Sequence, residues 1–238
     1  MSGHSKWAKL KHFKGALDAK KSALFTKFGR MITIAAREGG DPSANFKLRL
    51  AIDNARKVNL PKENIDRAIK KGTGELDGAQ VEEVVYEAFG PQKIAIIIQA
   101  LTDNKNRTIA SLRRIFNKHG GILAGQNAVS WMFDKKGVIK LADIEAGTQQ
   151  ETELKLIDLG AEDIKIEDNE MVVYLSPESL EKVKEKIEQS GIKIEYAEVE
   201  WVAKDPIEVS DQVKEKMESF FDELDEDEDV NNYYTSVK

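Results

Sequence analysis

A chain of 238 residues, 41% hydrophobic and 33% charged, suggests about one to two domains with a real core, and its longest apolar run, Ile94 to Ile98, is far too short to span a bilayer. The absence of Cys removes disulfides, thiolate metal sites and Cys nucleophiles, and no apolar segment follows the first lysines, so the expected location is the cytoplasm, with no membrane partner. The charge is unevenly spread: residues 1–75 hold 17 Lys and Arg against 7 Asp and Glu, a balance of +10, while the whole chain sums to −6 and the remainder therefore to −16.

Taken in order, the first 37 residues set Lys6, Lys9, Lys11, Lys14, Lys20, Lys21, Lys27, Arg30 and Arg37 against one acid, Asp18. A clustered positive field of this kind attracts polyanions, and its excess of Lys over Arg suits phosphate attraction better than bidentate base recognition. Trp7 among these lysines either stacks on a base or packs on the fold. From Asp18 the pattern is helical, with Leu24, Phe25, Phe28, Ile32 and Ala35 at spacings of three and four, and it stops at Gly39-Gly40. Asp41-Pro42 reads as the cap and first residue of a second helix with Leu48, Ala51, Ile52, Ala55 and Val58 inward, and Pro61 opens a third that Gly72 closes. Lys47, Arg49, Arg56, Lys57, Lys62, Arg67, Lys70 and Lys71 on the polar faces of these helices extend the basic surface. The glycines at 72, 74 and 78 mark a boundary where the sign of the charge changes.

Beyond it the hydrophobic period drops to about two residues. Two strands, Val84 to Phe89 and Ile94 to Leu101, flank a turn at Gly90-Pro91; a helix runs from Asn106 to Lys118; Ala128 to Phe133 is a further strand. Strand, strand, helix, strand predicts helices on one face of an antiparallel sheet. A second unit repeats the pattern: strand Gly137 to Leu141, helix near Ile144 to Leu159, strands Asp163 to Ile166 and Met171 to Leu175, helix Pro177 to Gln189 and strand Lys193 to Val202. A last helix, Asp211 to Leu224, leads into 222–229, where seven of eight positions are acidic.

The chain resembles the YebC/PmpR family. The motifs are Ser2-Gly3-His4-Ser5-Lys6-Trp7, Asp41-Pro42 with Asn45 and Leu48-Arg49, Pro61-Lys62 with Arg67-Ala68-Ile69, Lys71-Gly72 with Gly74, Leu101-Thr102-Asp103-Asn104 with Asn106-Arg107-Thr108, Gly120-Gly121, and Trp131-Met132-Phe133 before Lys136-Gly137. The resemblance implies an α+β multidomain protein: an N-terminal three-helix domain, residues 1–77, followed by two ferredoxin-like α+β domains, 78–134 with 204–238 and, inserted into it, 135–203. It departs from the family at Gln92-Lys93, where two glycines are usual, at Ala88 and at Asn127-Ala128-Val129. It also implies a non-enzymatic regulator of gene expression: a DNA-binding transcriptional regulator or, alternatively, a factor that binds ribosomal RNA and the ribosome to assist translation.

The candidate nucleic-acid-binding residues are Lys6, Trp7, Lys9, Lys11, Lys14, Lys20, Lys21, Arg30, Arg49, Arg56, Arg67 and Arg107. At Arg107 two readings stand side by side: Asp103 or Asn106 caps the helix, or Arg107 holds phosphate. The acidic stretch 222–229 is either a solvated tail leading to an edge strand through Val230, Tyr233 and Tyr234, or a competitor that folds back on the basic domain. His4, His12 and His119 lack the spacing of a metal site, and no nucleotide-binding or nucleophile motif appears, so no catalytic residue, metal, cofactor or small-molecule substrate is expected; the expected state is a monomer or weak oligomer.

Overall fold

The computed structural model describes residues 18–77, 80–141, 144, 146–167 and 170–237. Helix α1, Asp18–Ala35, α2, Phe46–Lys57, and α3, Lys62–Gly72, enclose a core of Phe28, Ile32, Leu48, Ile52, Leu60 and Ile65. The cap of α2 is Asn45 rather than Asp41. Asn45 Oδ1 accepts the Leu48 N–H at 3.0 Å while its Nδ2 donates to the carbonyls of Ala35 and Gly39, both at 2.8 Å, so one buried amide closes the α1–α2 connection. Asp41 instead accepts from Ser43 N and Oγ in a turn before the helix, which delays the helix start to Phe46. Gly72 does more than end α3: a Cβ there would stand 2.4 Å from the Thr33 carbonyl oxygen and 2.6 Å from Ala36 Cβ, so its bare backbone lets α3 lie against α1.

The first antiparallel sheet holds β1, Glu82–Phe89, β2, Ala95–Thr102, β3, Ile122–Leu123, and β8, Val230–Thr235, in the order β3-β1-β2-β8. Helices α4, Lys105–Lys118, and α7, Asp211–Glu226, cover one face, where Ile96 and Ile98 meet Leu112, Phe116, Phe220 and Phe221. Ala95 and Ile97 point the other way, onto Val129, Phe133 and Tyr234. Burial on both faces explains the unbroken apolar run of β2, each fully buried isoleucine contributing about 2 kcal/mol of transfer free energy.

The second sheet, order β5-β6-β4-β7, is formed by β4, Phe133–Leu141, β5, Asp163–Glu167, β6, Glu170–Leu175, and β7, Ile194–Ala203, with α5, Gln149–Leu159, and α6, Leu180–Gln189, on one face. Strand, helix, strand, strand, helix, strand in this order is the ferredoxin-like arrangement. The first sheet has the same spatial order reached by another route: its first strand, β1, takes the place that β6 takes in the second sheet. All four strands of the second sheet lie in the chain between β3 and β8.

Two expectations change. Ala128 to Met132 is not a strand, because the Glu87 carboxylate receives the backbone N–H groups of Asn127, Val129 and Ser130 at 2.7 to 2.8 Å and folds them into a loop and a short 3₁₀ turn. The strand begins at Phe133 and runs unbroken into the segment expected at Gly137 to Leu141. The turn after β1 is also strained: Gln92 and Lys93, where the resembling family has glycines, lie at φ 59° and 60°.

The three parts meet at a buried polar cluster on β7, where Asn232 of β8 also donates to Glu198 at 3.5 Å. Tyr196 donates to Glu200 at 2.6 Å and to Glu198 at 3.2 Å, and Asn54 of α2 donates to Glu198 at 3.0 Å. Burial pushes the Glu200 carboxyl up to about 7, against the Tyr196 hydrogen bond and the Lys140 charge, which pull it down.

Two outcomes are expected. Gln92→Gly should raise stability by about 1 kcal/mol by relieving a left-handed side chain, read as a higher melting temperature. Because Glu200 keeps its proton in the folded chain to about pH 7 while the unfolded carboxyl loses it near 4.5, unfolding releases a proton across that window. Stability should fall as pH rises from 4.5 to 7, by on the order of 3 kcal/mol, and Glu200→Gln should flatten that slope in denaturant titrations.

Candidate nucleic-acid interface

The basic residues of the helical domain divide into two groups. One group is occupied inside the molecule. Arg30, on α1, donates to the Leu101 carbonyl at 3.1 Å, the Glu228 carbonyl at 2.6 Å and Asp229 Oδ1 at 2.9 Å. Asp229 is buried and also receives Arg107, at 2.7 and 3.1 Å, and the Thr108 hydroxyl at 2.8 Å. Burial alone would raise the Asp229 carboxyl, but hydrogen bonds from Arg107 and Thr108, with the charges of Arg107 and Arg30, hold it below its ordinary value. Lys27 is buried beside this site and donates to the Asp225 carbonyl; burial lowers it to about 8 although Asp225 and Asp227 oppose the shift.

Arg49 on α2 is similarly engaged, with the Pro42 carbonyl at 2.9 Å and with Glu181 and Glu185 of α6 at 3.2 and 3.6 Å. Arg107 also bonds Asp103 at 2.8 Å, and the α4 cap is Asn104, whose Oδ1 accepts the Arg107 N–H at 3.0 Å, rather than Asp103 or Asn106. The acidic stretch thus does reach the basic domain, through Asp225, Glu228 and Asp229, and it also leads into edge strand β8.

The second group faces solvent. α1, α3 and the segment leading into β1 enclose an open cleft of about 900 Å³. Arg67 and Lys71, one turn apart on α3, line it with Arg37, which donates to the Val81 carbonyl at 2.7 Å. All three are exposed, and none has a carboxylate within 4 Å among the described residues. Phe25 and Leu76 supply apolar wall, Asn64 and Gln80 supply polar groups, and the paired Arg30 and Asp103, bonded to Asp229 and Arg107, also reach the lining, so that its cations outnumber its one acid. Such a cleft has the volume of a small-ligand site and the charge of an anion site.

Of the other predicted residues, Arg56 is exposed with a 3.7 Å contact to Asp53. Lys20 and Lys21 lie on α1, and Lys6, Trp7, Lys9, Lys11 and Lys14 lie outside the described residues. The sequence placed Arg37 and Lys71 in the basic surface but not among the candidate binding residues, and Gly29 in neither. The spacing of Arg67 and Lys71 at i, i+4 was the available signal for Lys71.

Family models describe residues 5–75 as the TACO1/YebC protein N-terminal domain and residues 81–237 as the TACO1/YebC second and third domain. The chain belongs to the TACO1/YebC family. It is 50% identical to a "Probable transcriptional regulatory protein" of Thermoanaerobacter pseudethanolicus, over 100% of this chain and 97% of that one. A protein named likewise from Thermotoga maritima is 47% identical over 100% and 94%. The crystal structure of a conserved hypothetical protein from Aquifex aeolicus superposes with a TM-score of 0.86 at 38% identity, covering 98% and 96% of the two chains.

Replacing Asp229 by Ala should cost about 3 kcal/mol in denaturant unfolding, because Arg30 and Arg107 lose their shared acceptor, whereas Asp103→Ala at the exposed rim should cost well under about 1 kcal/mol. The pH sign follows from the depressed native value of Asp229: its contribution is whole above the unfolded carboxylate range near 4 and is lost as pH falls through the lower native value.

Proposed function

We propose that this protein is a non-enzymatic, cytoplasmic regulator of gene expression that binds nucleic acid through its helical domain, residues 1–77, while the two α+β domains, 78–134 with 204–238 and 135–203, position that domain. The observation that carries this reading is the set of exposed cations Arg37, Arg67 and Lys71, which have no carboxylate within 4 Å among the described residues and line one cleft of the part of the chain whose charge balance is +10. The lysines at 6, 9, 11, 14, 20 and 21 add point charges for phosphate. The name of the relatives, probable transcriptional regulatory protein, favours a role in transcription. A second reading, ribosomal RNA and translation, is favoured by the concavity of the cleft: about 900 Å³ with Phe25 in its wall suits an unpaired segment, whereas duplex DNA is read by an element that projects into a groove.

Titration of labelled duplex DNA and of single-stranded RNA against the full chain at several salt concentrations tests the proposal. Affinity should fall linearly on a log–log plot, and replacing Lys9, Lys11, Lys14, Lys20 and Lys21 by Gln should weaken binding and lower the slope by about 0.7 to 0.9 for every phosphate that is no longer neutralised. Salt-independent binding, or a variant that binds as the unaltered chain does, would contradict it. Preference for RNA over DNA at equal salt would select the translational reading.

A further inference from the structure

Gly29 sits in the middle of α1, where glycine costs about 1 kcal/mol relative to alanine. An interior helical glycine usually has a packing reason: Gly72 has one, its missing Cβ admitting the Thr33 carbonyl and Ala36. Gly29 has none of that kind. Apart from its chain neighbours and the backbone of its own helix, no atom among the described residues lies within 4 Å of where its Cβ would stand, and Gly29 is part of the cleft lining. Its neighbours in the cleft are Phe25, one turn earlier on the same helix, and Arg67 and Lys71 across from it on α3.

Two independent features therefore converge on one cleft: a patch of bare backbone and an aromatic ring, and cations with no carboxylate within 4 Å among the described residues. A nucleotide unit has the matching parts, since its base is a flat apolar surface that needs room against backbone and ring, and its phosphates need cations beside it. Asn64 and Gln80 add amide groups able to donate to and accept from a base edge. We infer that the cleft over Gly29 takes one nucleotide of a single-stranded nucleic acid, with its flanking phosphates on Arg37, Arg67 and Lys71. This rests on the nucleic-acid reading above and narrows it: the N-terminal lysines attract any polyanion, whereas the cleft admits only an unpaired residue. The chain then distinguishes single strands from duplexes by access to the cleft.

The test uses the full chain, a labelled 12-nucleotide RNA of mixed sequence and the duplex of the same sequence, followed by fluorescence anisotropy at fixed moderate salt. Gly29→Leu fills the space, removes no charge and replaces a poor helix former by a good one, so the variant should melt no lower than the parent. It should bind the single strand about tenfold more weakly and leave the duplex within about twofold, the loss expected when one stacked base is excluded. Arg67→Gln with Lys71→Gln should weaken binding of the single strand more than that of the duplex. In the unsubstituted chain, bound RNA should protect Lys71 from amine acylation, as read by mass spectrometry, which covers the case in which Gly29→Leu fails to fold. Equal binding of the RNA by a folded Gly29→Leu chain, or acylation of Lys71 at the free rate when RNA is bound, would overturn the cleft assignment while leaving nucleic-acid binding intact. Failure of the parent chain to bind either ligand at low salt would overturn both readings.

Discussion

The carboxylate of Asp229 is the interaction on which the arrangement of the domains depends. It stands at the entrance to β8 and gathers Arg30 from α1, Arg107 and Thr108 from α4, while its own carbonyl accepts the N–H of Leu101 at the end of β2. One buried acid therefore joins the helical domain to the first sheet, the helix that covers that sheet and the returning C-terminal segment. A buried charge is costly unless its hydrogen-bonding capacity is filled, and here both oxygens are filled by donors from separate elements. The second junction, around Glu198 and Glu200, works by the same rule with neutral partners, Tyr196 and Asn54, and there burial wins, so Glu200 holds its proton to about pH 7.

These junctions sort the positive charge. Lys27, Arg30 and Arg49 serve the fold, directed at carbonyls and carboxylates of the acidic domains, and their loss would be felt in stability before it was felt in binding. Arg37, Arg67 and Lys71 line a cleft that exists because the Asp229 junction holds α1 against the first sheet and Gly72 holds α3 against α1. The excess of negative charge in the rest of the chain has a structural use at these contacts. Like charge elsewhere on its surface would also repel a polyanion, leaving the helical domain as the face presented to nucleic acid.

Much of the fold was legible because local pattern and tertiary environment agree. The three helices, β1, β2, α4 and the strand-helix order of the second unit follow from periodicity, and the sheets and their interleaving accord with the family resemblance. Local pattern misleads where one side chain from far along the chain decides the structure. Glu87 bends residues 127–130 away from the strand that their composition suggests, and the buried Asn45, bonded to both Ala35 and Gly39, captures the helix start that Asp41-Pro42 advertises. At the site, charge was legible but its allocation was not. Arg30 and Arg67 look alike in sequence; only the position of Asp229, 199 residues beyond Arg30, separates them. Gly29 was invisible because a missing side chain acquires meaning only when the space above it is known.

The most direct measurement is hydrogen–deuterium exchange of the full chain with and without a bound single-stranded oligonucleotide. Exchange should slow in residues 22–37 and 62–77, which form the cleft walls, and stay unchanged in α5 and α6 of the second sheet's domain. Protection confined to residues 149–203, with the cleft walls unaffected, would place the nucleic-acid surface on the other side of the molecule and contradict binding through the helical domain.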